Sequence, residues 1–176
     1  SSNGVAEVQN QDRTGAPGSA QSCIQCHNQP GAMTASSSMT ITNIIGEEVS
    51  TYIAGDTYEV SFNVISNTAV GYGFQATSVF PDGSNAGEFT NPGTSVQIES
   101  VESRHIVEHS TPSSTGIFTT TWIAPETGSG NVGFYMSGLA ANLQNQTLGD
   151  AYHGMSLSLT ENPNGIEEDY RLMDQP

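Results

Sequence analysis

From Met39 onward the chain alternates apolar and polar residues with a period of two. Tyr58, Val60, Phe62 and Val64 are interleaved with Glu59, Ser61 and Asn63, the pattern of a strand with one face in a core and the other in water. The same alternation recurs in Met39-Ile41, Phe74-Ala76-Ser78-Phe80, Val96-Ile98, Phe118-Thr120-Trp122, Val132-Phe134-Met136 and Met155-Leu157-Leu159. Turn-forming clusters separate these runs, among them Ala54-Gly55-Asp56, Pro81-Asp82-Gly83, Asn91-Pro92-Gly93 and Thr127-Gly128-Ser129-Gly130. Eight or nine short strands without an apolar helical pattern predict an all-β, antiparallel β-sandwich. Three regions follow. Residues 1–36, with breakers at Pro17-Gly18 and Pro30-Gly31, read as loop; residues 37–160 form the sandwich; residues 161–176 read as an acidic tail.

Composition narrows the chemistry. The 176 residues are 35% hydrophobic and 12% charged, enough for one compact domain with a core. Eighteen acidic residues face three arginines and no lysine, for a formal charge of −15. Nothing in such a chain neutralises a run of phosphates, so nucleic acid is excluded as a partner. Without lysine, Schiff-base chemistry, a lysine general base and the P-loop mechanism are excluded as well. No apolar run reaches the length of a membrane-spanning helix, so no membrane insertion is expected. The 22 Ser, 18 Thr, 13 Asn and 19 Gly make a polar, uncharged chain, a makeup that points to an exported protein with its signal removed and an extracellular or cell-surface location. Asn145-Gln146-Thr147 is a glycosylation sequon of a kind that arises readily by chance.

Both cysteines fall in Cys23-Ile24-Gln25-Cys26-His27. This C-x-x-C-H is the attachment pattern of a c-type haem: two thiols three positions apart meet two vinyl groups, and the adjacent imidazole reaches the iron. At this chain's own residue frequencies its chance occurrence is on the order of one in two thousand. A thioredoxin-like redox pair, a structural zinc site and a local disulfide are the alternatives. The first wants a βαβ context and the second more ligands than the motif supplies. One covalently attached haem c is therefore the expected cofactor, with Cys23, Cys26 and His27 in its site. Covalent attachment consumes both thiols, leaving no disulfide for the sandwich.

The sixth coordination position decides between electron transfer and ligand chemistry. Its candidates are His105, His109, His153 and the methionines. His105 and His109 lie four apart in Arg104-His105-Ile106-Val107-Glu108-His109, where a strand directs both to one face. One of the two can ligate while the other supports it; His109 leads the candidates beside His27, with the others still open. Met155 alternates with Leu157 and Leu159 as a core residue does, while Met33 and Met39 lie near the motif in sequence.

Arg13-Thr14-Gly15-Ala16-Pro17-Gly18 ahead of the motif, Gly71-Tyr72-Gly73-Phe74-Gln75, Glu108-His109-Ser110, Trp122-Ile123-Ala124-Pro125, Gly130-Asn131-Val132-Gly133-Phe134-Tyr135 and Gly149-Asp150 together resemble the choice-of-anchor V domain of secreted bacterial proteins, which is similar to the Reeler domain. The resemblance spans roughly residues 12 to 160. It implies an immunoglobulin-like sandwich, a secreted or surface location, and a histidine ahead of the Trp-x-Ala-Pro strand, which falls on His109. It implies little about activity. Members often end in an anchoring segment, whereas this sequence ends in Glu161 to Pro176. Trp122 reads as a core anchor, and Pro81 to Asn85 and Gly149-Asp150 read as simple turns.

The expectation is thus an extracellular mono-haem c-type cytochrome passing single electrons, not an enzyme, since no carboxylate pair, Ser-His-Asp set or lysine base is recognisable. One haem in a globule about 40 Å across needs close partners: redox proteins, or neighbouring copies in a homo-oligomer or surface filament. The alternatives are a structural or adhesive surface module whose haem pins a loop, and a small peroxidase-like or gas-binding haem protein with an open sixth position.

Overall fold

A computed structural model describes residues 3–144 and 146–163, and within them ten strands form two packed sheets. The smaller sheet has the order β1 (Ala35–Thr42), β3 (Thr57–Ser66), β8 (Ile117–Ile123), β5 (Glu88–Thr90). The larger runs β2 (Thr51–Tyr52), β10 (Ala151–Glu161), β9 (Val132–Ala141), β4 (Gly71–Val79), β7 (Arg104–His109), β6 (Val96–Val101). All pairings are antiparallel except β10 with the two-residue β2. The predicted sandwich is the observed one. Glu161 ends β10 and is not part of a tail; residues 164–176 and Asn145 of the sequon lie outside the described residues.

The period-two residues fill the space between the sheets. Tyr58, Val60, Phe62 and Val64 from β3 meet Phe74 and Ala76 from β4 and Val132, Phe134 and Met136 from β9, all buried. Phe74 stacks on Phe118 at 4.4 Å between ring centroids and packs on Phe62 at 4.9 Å. Trp122 is fully buried, edge-on to Phe134 at 4.9 Å, and donates its indole N–H to Ser78 Oγ and Ala86 O, both at 3.1 Å. That is the core anchor expected of it, its one polar atom satisfied.

β4 is buried on both faces, and its outer face explains the first third of the chain. The segment expected to be loop contains a short helix, α1 (Val5–Gln9), and a 3-10 turn at Cys23–Gln25, and it is laid across the larger sheet. Gln75 of β4 accepts the Arg13 N–H and donates its amide to Gln11 O, while Ser137 Oγ of β9 donates to Arg13 O at 2.7 Å. Side chains thus hold residues 11–13 as a strand ladder would. Arg104 pairs with Asp12 at 2.5 Å and also donates to Pro17 O and Gly83 O.

The strongest anchor is Glu108 of β7, whose side chain is 1% exposed. Its two oxygens accept from Ala6 N and Glu7 N at 2.9 Å and from the Gln75 and Gln97 amides at 3.0 Å. A carboxylate meeting four donors keeps its charge tolerable without water. Gly4 must be glycine here, since a Cβ would overlap the Glu108 carboxyl. Ala6 completes the contact by packing on Val101 and Ile106.

Candidate functional site

The N-terminal segment delivers Cys23-Ile24-Gln25-Cys26-His27 to the outer face of the larger sheet. The 3-10 turn is closed by Cys26 N and His27 N on Cys23 O, at 3.2 and 3.1 Å. Cys23 and His27 are half-buried on the sheet side, whereas Cys26 and Ile24 are exposed. The two thiols are not bridged. Burial pushes the Cys23 thiol up to about 11, against the opposing pull of Ser137 and Arg13, so it stays a thiol at neutral pH.

A cavity of about 50 Å³ lies under the turn. Cys23 and His27 line it from the motif and His109 from the end of β7, with Phe74, Leu139 and Val5 among its apolar walls. The expected pair, His27 and His109, is therefore brought to one cavity by the tertiary fold. Each ring is held at Nδ1. His27 Nδ1 lies 3.1 Å from Asp150 Oδ2, in a pair whose side chains are 13% and 5% exposed. Burial lowers the His27 pKa, against the attraction of Asp150. His109 Nδ1 lies 3.1 Å from Phe74 O and 3.2 Å from Phe74 N.

The sheet opens to make this possible. β4 and β7 pair at Gln75–Glu108 and Ala76–Val107; one step further, at Phe74, the His109 imidazole takes the place of ladder hydrogen bonds. Gly73 gives the ring its room, for a Cβ there would stand 2.9 Å from His109 Cε1 and 3.1 Å from both ring nitrogens.

The other candidates go elsewhere. His105 shares β7 with His109 but not the cavity, and its Nδ1 is buried without a hydrogen-bond partner among the described residues. His153 is exposed and accepts the Ser37 N–H at 3.1 Å, tying β10 to β1. Met39 is in the core, and Met33 and Met155 are half-buried away from the cavity. Among the described residues no three His, Cys, Asp or Glu side chains converge on a possible metal position, which leaves the zinc alternative without a ligand set.

Asp150, Gly73 and Glu108 escaped the sequence reading as parts of the site. A ligating histidine regularly gives its second N–H to an acceptor, so a partner for His27 was to be sought, but Asp150 is 123 residues away and sits in what reads as a turn.

The donor set suits a covalently attached haem: two thiols at the required spacing, an adjacent imidazole, and a second imidazole on the same cavity, which Gln75 and Glu108 also line. The cavity is far below the ~300–1,000 Å³ of an ordinary cofactor site, so it does not enclose a macrocycle.

Residues 21–142 match the Reeler domain family, a span that includes the motif and His109. Among solved structures the chain is similar to the human F-spondin reeler domain, at 19% identity and a TM-score of 0.53, covering 70% of this chain and 88% of that one. It is likewise similar to the Reelin-N domain of F-spondin, at 20% identity and a TM-score of 0.52, covering 70% and 86%. At such identities the likeness is one of fold. No curated protein matches the chain.

Proposed function

The chain belongs to the Reeler domain family, and from that premise we propose that it is a member adapted to carry one covalently attached haem c and to pass single electrons outside the cell. The observation that carries this reading is the shared cavity: Cys23 and His27 of the C-x-x-C-H turn and His109 of β7 line it together with Val5, Phe74, Leu139, Gln75 and Glu108. When bound, a haem supplies a one-electron iron couple. Cys23 and Cys26 would hold it, and His27 and His109 would ligate its iron. Their Nδ1 contacts to Asp150 and to the Phe74 peptide orient the rings. Phe74 and Leu139 line the same cavity. With two protein imidazoles on its iron the group would serve as an electron carrier.

Reeler domains occur in extracellular proteins such as F-spondin. No helix among the described residues is long and apolar enough to cross a membrane. An extracellular or cell-surface location for this chain also agrees with its polar, lysine-free composition. Ile24, 51% exposed, and the exposed Cys26 put the outer side of the motif at the surface. A group attached there is within reach of a redox partner or of a neighbouring copy in an oligomer or filament. The polar anchoring of residues 6–17 to the sheet favours a second reading, a structural surface module in which the haem reinforces a segment already pinned in place.

The test is an absorption spectrum of protein matured in a host that attaches c-type haem, taken oxidised, dithionite-reduced and under carbon monoxide, with intact mass as the check on covalency. We expect a covalent haem whose reduced spectrum ignores carbon monoxide. A carbon monoxide shift indicates an open sixth position and a gas-binding or peroxidase-like protein. Absence of a haem band refutes the reading and leaves the structural module.

A further inference from the structure

We propose that Asp150, on the loop between β9 and β10, is the positioning residue of this site and sets it to a low reduction potential; the second half of the proposal rests on the haem reading above. Its Oδ2 is 3.1 Å from His27 Nδ1. Its Oδ1 accepts the Asn142 N–H at 2.9 Å, so the carboxylate is fixed at both ends. The same loop grips the motif a second time, for Gly149 N donates to Gln29 O at 2.8 Å. Gly149 has φ +85, and a Cβ there would lie 2.6 Å from Asn142 Nδ2, so the turn that presents Asp150 requires glycine. Among the described residues His27 is the side chain paired with this carboxylate, and no arginine shares it.

A carboxylate accepting Nδ1–H selects the tautomer in which Nε2 is the ligating nitrogen, and it raises the basicity of that nitrogen. Its negative charge would favour the more positive state of a bound iron. His109 Nδ1 lies beside the Phe74 peptide.

The tautomer is read first, on the folded protein without haem, by long-range ¹H–¹⁵N correlation of the His27 ring. The Nδ1–H form is expected, moving toward Nε2–H in Asp150→Ala; an Nε2–H ring in the unsubstituted protein overturns the proposal whether or not haem binds. Redox titration of the haem-loaded protein follows. Asp150→Asn, which keeps the shape and loses the charge, is expected to raise the midpoint potential by about tenfold in the ferric-to-ferrous ratio, ~59 mV for one electron, with Asp150→Glu restoring most of it. A loaded Asp150→Asn protein within twofold of the original overturns the claim about potential. If the unsubstituted protein takes no haem, the functional reading fails, while the tautomer result still decides the positioning role.

Discussion

Glu108 should be the residue on which the N-terminal segment depends, and its replacement separates a hydrogen-bonding role from a packing one. In Glu108→Ala the Ala6 N–H and the Gln75 amide lose a buried acceptor, whereas Glu7 N and the Gln97 amide are part-buried and can turn to water. Each stranded buried donor costs about 1–3 kcal/mol. Two such donors come to about 2–6 kcal/mol, of which relief of the carboxylate's own desolvation returns part; the remaining loss is expected to be concentrated in residues 4–16. Glu108→Gln should be no milder. Every partner is a donor, two on each oxygen, so the new NH₂ must face two N–H groups, and a carboxylate alone is acceptor-only. The Gln75 amide cannot invert to help, because Arg13 N and Gln11 O fix its orientation. Urea denaturation gives the total, and hydrogen exchange at the Ala6 and Glu7 amides locates it. If Glu108→Gln lies within ~0.5 kcal/mol of the parent with Ala6 still protected, a figure typical of surface changes, the four-donor account is wrong.

Gly73→Ala should push the His109 ring by about half an ångström, since 2.9 Å must open to ordinary contact; that loosens its hold on Phe74 and costs about 1–3 kcal/mol of overpacking. In the haem-loaded protein it should admit carbon monoxide, and a variant of unchanged stability that stays closed to carbon monoxide refutes the assignment. Glu161 accepts Gly128 N and Gly130 N at 2.7 Å each, which holds its pKa below the usual glutamate value. Its stabilisation is complete above the ordinary glutamate range and vanishes as pH falls through the lowered value. Denaturation of Glu161→Gln should accordingly show a deficit near neutral pH that disappears in strong acid; a deficit independent of pH rules the clasp out.

The elements that depend on neighbours in sequence were legible. Period-two runs marked β3, β4, β8, β9 and β10, because a strand between a core and water imposes alternation. β2 and β5, of two and three residues, are too short to show a period. C-x-x-C-H was legible for the same reason: its parts lie within five residues, and their spacing alone carries the chemistry. Residue type narrowed the second imidazole to three histidines, and the resemblance pointed to His109, but its place at the cavity is a tertiary fact. The order β9-β4-β7 sets His109 beside Gly73 and Phe74, and the turn at Gly149 brings Asp150 to His27. The N-terminal segment looked structureless because it has no apolar stripe. It is held by Gln75, Glu108, Ser137 and Arg104, polar side chains reaching backbone and carboxylate groups, and such bonds leave no hydrophobic period in either partner. Periodicity records what one segment buries. Which polar groups meet across the fold is decided by strand order and register, which only the folded chain supplies.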